Sequence, residues 1–525
     1  MKNWSASRFG VWLLMCLGSS NVAQGGPLEE GIACLDRGDT PCAAKKVAQL
    51  NAEGIQGYEG DLLRARLHFY EGRMAKAVEH MERAKLDNAA LFPDEGFLAN
   101  ELALMKRTQE VHEGLVETTV ADITIVHHPG MDRILVADAV RVLTAARARI
   151  APLLGGDPPI PLRVEIYPTG AALTACTGLP LEAVQTTGVV AISKWNRLLI
   201  TSPRAMGGGY GWQDTLVHEW IHLVASWHSG DNAPIWLQEG IAKGLDMLWR
   251  QPKFELPVHM QSFLATALRD NDFVSFDEMH PSFALLDSAE RAGLAYAQVA
   301  TMMAYLREKS GSDAIARVLA RIESGSESQE AVAAVYGASF ESFQRDWKVW
   351  VGQLELVEQR LSAMPTVLDG QGGDFSSDPV LAERKDLQDK TRLGDLMAQR
   401  DHHEAAILYY EQAIPEDAPA GPELVQRLAK SLIEMGDNVR ATRWLEAVIK
   451  NYPEHAGTRH MLADRYLSAG KEEAALEHFK ASADIYPYSP AVQQALVDLY
   501  KAMGEMELNR QHQHYLDILN YRDSG

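Results

Sequence analysis

Apolar positions along the chain follow three regimes. Over residues 27–115 and again over 391–520 they recur every three or four positions, interrupted by glycines and small residues, which predicts short amphipathic helices joined in hairpins. Between these stretches, over 120–355, helical and extended patterns mix. Residues 123–126 (Ile-Thr-Ile-Val) and 162–167 (Leu-Arg-Val-Glu-Ile-Tyr) read as strands, with a long helix over about 134–154 between them. Residues 189–193 and 198–201 predict a further strand pair around 194–197. Leu216, Val217, Trp220, Ile221 and Val224 share one apolar surface, which predicts a buried helix over 212–225 with Asp214 near its start. A second helix begins with Pro234 in its first turn and carries Trp236, Leu237, Ile241, Ala242 and Leu245, with Asn232 as its candidate cap.

The two flanking stretches are periodic on a longer scale. Gly38 and Gly72 are 34 residues apart, each ahead of a helix rich in small residues. Gly436, Gly470 and Gly504 repeat the same spacing, and Ala441 with Ala475, Leu445 with Phe479 and Pro453 with Pro487 hold matching places. A degenerate earlier copy starts near Leu393, with Ala406, Tyr410 and Ala413. Both stretches resemble tetratricopeptide (TPR) repeats. That resemblance implies helix pairs stacked in a curved solenoid, whose concave face suits a peptide or protein partner; the alternative is that the pairs only brace the middle of the chain. The segment 356–390 joins the middle to the second array. Its stretch 364–378 is rich in Gly, Ser, Asp and Pro and reads as a linker.

The chemistry is concentrated in His218-Glu219-Trp220-Ile221-His222. On a helix this spacing turns both imidazoles the same way, so that each can offer a neutral ring nitrogen to one Zn²⁺ while Glu219 points toward the place where water would sit. Seventeen residues after His222, Glu239 lies among apolar residues of the second helix. A carboxylate is costly to bury there unless a positive charge meets it, and a zinc ion on two histidines is the nearest one. His218, His222 and Glu239 are therefore the candidate ligands and Glu219 the candidate general base, a set fitted to metal-assisted hydrolysis.

At these residues the chain resembles the gluzincin metallopeptidases, and more closely the peptidase MA-like domains of bacterial envelope proteins. The marks are 214–222, Trp236-Leu237-Gln238-Glu239-Gly240, Tyr296-Ala297-Gln298 ahead of Tyr305-Leu306, and Tyr336-Gly337 before Asp346-Trp347. The resemblance implies an α+β zincin-type domain over 120–355 flanked by all-α TPR-like repeats. It implies zinc on His218, His222 and Glu239, Glu219 as base and proton shuttle, and Tyr296 as a donor to the oxyanion, for which an ordinary core tyrosine is the alternative. It also implies an edge strand beside the zinc helix that pairs with extended peptide, for which 189–201 is the candidate. One departure stands out. Many gluzincins carry an acidic residue four positions after the ligand Glu, where it orients a zinc-bound His, and here that position is Lys243. Gln238, Asp214 and Asp246 are the candidates for that role. Residues 207–211 (Gly-Gly-Gly-Tyr-Gly) are placed to rim the cleft and lack phosphate-loop spacing.

Composition narrows the setting. Lys2 and Arg8 precede an apolar run at 9–17 and small or polar residues to 26, the layout of a secretory signal peptide over 1–25, which implies a periplasmic or secreted protein. The run is too short for a mature transmembrane helix, and no later stretch reaches that length. The net charge of −21 becomes −23 once Lys2 and Arg8 are removed, which argues against nucleic acid as a partner. In an oxidising compartment Cys34 and Cys42, either side of a hairpin turn, are a candidate disulfide, and Cys176 reads as a buried thiol. The pairs His127-His128, His402-His403 and His512/His514 lack a ligand framework and read as surface or loop residues. A peptide or protein substrate is the expected partner. The rival reading is a TPR-based envelope scaffold whose zinc domain is vestigial or structural.

Overall fold

A computed structural model describes residues 26–55, 57–179, 189–358, 375, 378–382, 384–416 and 418–520. The signal-like segment 1–25 and most of the expected linker lie outside them. The chain begins with α1 (Pro27–Asp36), α2 (Thr40–Ala52), α3 (Tyr58–Tyr70), α4 (Met74–Asp87) and α5 (Phe97–His112). α1 and α2, then α3 and α4, form helical hairpins, turned by Gly38 (φ 74°) and Gly72 (φ 76°) in the left-handed region that side chains avoid. Cys34 and Cys42 are joined by a disulfide across the first turn, with Cα atoms 5.7 Å apart.

The middle of the chain is built on a five-stranded sheet. In order come β1 (Val116–Val120), β2 (Ile123–His127), α6 (Leu135–Leu154), β3 (Leu162–Tyr167), α7 (Gly170–Thr177), β4 (Ala191–Lys194) and β5 (Arg197–Thr201). Their lateral order is β1-β2-β3-β5-β4, with β2, β3 and β5 parallel and the two edges, β1 and β4, antiparallel. The expected strands all form. β1 was not foreseen and lies across the expected boundary at 115–120; it is largely exposed, so it carries no apolar alternation to announce it. β4 and β5 meet in a two-residue turn at Trp195 and Asn196, both at positive φ. The first array grips this hairpin. Phe69 packs edge-on against Trp195 with ring centroids 4.9 Å apart, the Arg197 guanidinium lies 4.5 Å from the Phe69 ring centroid, and the Asn196 amide donates to the Gly38 carbonyl.

The remaining central helices are α8 (Trp212–Ser229), α9 (Ile235–Leu245), α10 (Val258–Asp270), α11 (Ala289–Ser310), α12 (Ala314–Glu323), α13 (Ser328–Tyr336) and α14 (Phe340–Val351). α8 packs between the sheet and this helical layer because Trp212, Leu216, Val217, Trp220, Ile221 and Val224 are all buried, each worth roughly 1.5–3 kcal/mol. Asn232 does not cap α9. Its amide donates to the carbonyls of Ser229 and Gly230 and closes the end of α8, while the extended Pro234 opens α9 without a side-chain cap.

The second array comprises α15 (Lys385–Ala398), α16 (His403–Gln412), α17 (Pro422–Glu434), α18 (Asn438–Asn451), α19 (Ala456–Ser468), α20 (Glu472–Ile485), α21 (Pro490–Met503) and α22 (Met506–Asn520), paired as four hairpins. Asp378, at the end of the expected linker, is instead fully buried. Its carboxylate accepts backbone N–H groups from Val380 and Leu381 and, across the chain, from Glu423 and Leu424 at the start of α17. The array docks on the sheet domain. Tyr488 enters the central core, where its hydroxyl lies 2.7 Å from an Asp132 carboxylate oxygen and 2.9 Å from the Ser202 hydroxyl, and Arg204 Nε donates to the same Asp132. His127 departs from expectation as well: it is buried at the end of β2, held between Thr118 and the His128 carbonyl, because β2 is an interior strand. Among the described residues no helix is long and apolar enough to cross a membrane.

Candidate metal centre

α8 presents His218 and His222 one turn apart, and α9 crosses it so that Glu239 faces both. On its other side α9 settles closely on α11 at Gly240, next to Glu239: a Cβ there would stand 2.9 Å from the Val299 carbonyl oxygen. His218 Nε2 and His222 Nε2 are 3.1 Å apart, and Glu239 Oε2 is 3.2 Å from the first and 3.6 Å from the second. Ligand atoms about 2.0–2.1 Å from a tetrahedral ion stand about 3.3 Å from one another, so the three atoms fit the base of a zinc tetrahedron. Among the described residues this is the one His/Cys/Asp/Glu group close enough to hold a metal ion.

Each imidazole is held from behind. His222 Nδ1 lies 3.4 Å from Gln238 Oε1, and the Gln238 amide donates to the Ser226 hydroxyl, which fixes which end of the amide faces the ring. His218 Nδ1 lies 3.5 Å from Asp246 Oδ2, and Lys243 donates to that same carboxylate oxygen at 3.0 Å. Two of the three candidates for ligand orientation thus sit on ligands. Asp214 does not: it accepts from Trp249 Nε1 and the Arg250 guanidinium and ties the start of α8 to the segment after α9.

Electrostatics follow the same convergence. Burial opposes charge on His218, yet the bonds to Asp246 and Glu239 and the field of Glu219 outweigh it and push the imidazole up to about 10. For Glu239, burial raises the carboxyl, and the opposing pull of His222 and His218 takes it well below the ordinary range. The carboxylates of Glu239, Glu219 and Asp246 thus converge on the two imidazoles. Glu219 is 7% exposed; burial pushes its carboxyl up, Glu239 adds to this, and His222, His218 and a backbone hydrogen bond from Ser193 of β4 pull it back. A carboxylate raised by burial and held beside two imidazoles is placed to accept a proton from water.

Tyr296 of α11 lies within the field of Glu239 and Glu219, which with burial raises its phenol well above the usual value. Its ring stands edge-on to Phe283, and its hydroxyl makes no hydrogen bond among the described residues. A second phenol, Tyr210, was missed by the sequence reading. It also feels Glu219, but its hydroxyl donates to the Thr201 carbonyl at 2.6 Å and is spent on holding the glycine-rich loop to β5. That loop is no free rim: a Cβ on Gly209 would stand 2.3 Å from the Ile485 carbonyl oxygen of the second array. The later marks lie in a separate polar chain, with Tyr305 and Tyr336 hydroxyls 3.0 Å apart and Tyr336 donating to Asp346, which joins α11, α13 and α14.

Comparison with curated proteins found no match. Among solved structures, MamA from Desulfovibrio magneticus RS-1 is 17% identical over 28% of this chain and 81% of its own, with a TM-score of 0.24. Native yeast LTA4 hydrolase is 12% identical over 77% and 66%, with a TM-score of 0.30, and yeast Tom70 is 12% identical over 95% and 92%, with a TM-score of 0.22. Likenesses this loose carry no argument about this chain. The family comparison is specific to the domain that holds the site: residues 143–353, spanning α8, α9 and α11, match the family model of the Peptidase MA superfamily.

Proposed function

We propose that the chain is an exported zinc metallopeptidase that hydrolyses peptide bonds, with TPR-like arrays over 27–115 and 391–520 that engage a substrate or partner protein. The observation that carries the reading is the convergence of His218, His222 and Glu239 with Glu219 beside them. These three residues would hold the ion, and when bound it supplies Lewis acidity toward a carbonyl oxygen and acidifies water. Glu219 takes the proton of the attacking water and returns it to the leaving amine. Tyr296 donates its hydroxyl to the oxygen that becomes negative. β4, the edge of the sheet among the described residues and packed against α8, is the strand an extended peptide would pair with. The signal-like segment 1–25 and the Cys34–Cys42 disulfide support export.

The test is a peptide-library digestion with metal analysis on the wild type and on Glu219→Gln. The wild type is expected to hold about one zinc and to cleave. The variant keeps fold and zinc but loses roughly 10²- to 10⁴-fold in rate, because only the base is gone. A Glu219→Gln protein cleaving at the wild-type rate would sink the mechanism and leave the scaffold reading ahead.

A further inference from the structure

We propose that Asp246 and Lys243 act together as positioning residues for His218, a role that rests on the zinc reading above. The place four residues after Glu239 holds a cation, and that cation does not face the metal ligands. Lys243 reaches forward one turn to Asp246 at 3.0 Å, and it is Asp246 whose carboxylate lies 3.5 Å from His218 Nδ1. Asp246 is 3% exposed at the C-terminal end of α9, where the helix leaves carbonyl oxygens and no N–H groups to meet a carboxylate. A buried carboxylate at that end of a helix is destabilised twice, by burial and by the dipole. The lysine answers both costs. It fixes the direction of the carboxylate, so that Oδ2 faces the Nδ1–H of His218 and leaves Nε2, the atom turned to Glu239 and His222, as the lone-pair donor. His222 needs no such charge, since Gln238 and Ser226 orient it through neutral hydrogen bonds. The two imidazoles are thus supported by different chemistry, one by an ion pair and one by an amide.

The experiment is zinc affinity by chelator competition on the full chain, with circular dichroism of the metal-free form as the fold control. Asp246→Ala is expected to weaken zinc about 10- to 100-fold, and Asp246→Asn to do so by less, since an amide oxygen still accepts the Nδ1 proton. Lys243→Met is expected to weaken it in the same direction, and Lys243→Arg to restore it, because a guanidinium keeps the charge beside Asp246. Both Asp246 variants binding zinc as tightly as the wild type, with fold intact, would overturn the proposal. A Lys243→Met loss that Lys243→Arg does not recover would assign the lysine to packing and overturn its share. Wild-type chain that binds no zinc is a separate outcome: it removes the metallopeptidase reading on which the pair depends.

Discussion

Tyr296 sets its phenol within the field of Glu239 and Glu219, and its hydroxyl makes no hydrogen bond among the described residues. A donor left free in a buried setting is available to a charge that arises only during reaction. Tyr296→Phe is therefore expected to lower kcat by roughly 10²-fold with little change in KM. A variant with raised KM and full kcat would place the phenol in ground-state binding instead. The juxtaposition of His218 and His222 was legible from sequence because spacing of four on a helix fixes relative direction before anything else is known. The support of His218 was not. Asp246 meets that ring only because α9 ends where it does and crosses α8 at this angle, and Asp214, equally plausible by spacing, is drawn away by Trp249 and Arg250.

At the scale of elements, the sheet is pinned by charge as well as by apolar packing. Glu165 of β3 is fully buried between Arg197 of β5 and Arg163, with His112 of α5 close by. Burial alone would raise its carboxyl, but Arg197, His112 and Arg163 together hold it well below the ordinary value. A folded-state value below the unfolded one, about 4.3, means that this contribution to stability is complete above that pH and is lost as pH falls further. Glu165→Gln is expected to be less stable at neutral pH by about 3–5 kcal/mol, since Arg197 keeps a buried charge without its partner, and to show a shallower fall in Tm on acidification below about pH 4. Parallel Tm profiles for the two proteins would contradict this. β2, β3 and β5 were readable because each is short and rich in Ile, Val and Leu. Glu165 was not, since an Arg-Val-Glu alternation reads as a half-exposed strand until a helical array is known to cover the second face.

For the molecule as a whole, the second array shares the central core. Tyr488 and Tyr515 belong to it, and Gln213 at the start of α8 donates to Asp484 of α20. Tyr488→Phe removes the hydroxyl from Asp132 and Ser202 and is expected to cost about 1–3 kcal/mol, read as a lower Tm of one cooperative transition. Two independent transitions in the wild type would show that the seam does not couple the modules. The repeat period was plain in the sequence, and its turn glycines fall where the left-handed backbone needs them; only the degenerate copy departs, using Asp401 at φ 57°. Where the array docks could not be read, because Tyr488 looks like any other aromatic of a repeat.

Asp132 has a further consequence when the chain is considered in the order in which it is made. It stands just ahead of α6, while its phenolic partner lies 356 positions downstream. A chain growing at about 5–20 residues per second takes about 20–70 s to produce that partner. Throughout that interval the seat for Tyr488 on the nascent sheet domain stays open, with a carboxylate and the Ser202 hydroxyl facing water. The loop that leads into α8 likewise lacks the Ile485 backbone against which Gly209 rests. Birth order thus acts as a clock: the loop leading into the helix of His218 and His222 meets its final neighbour only after synthesis has passed α20.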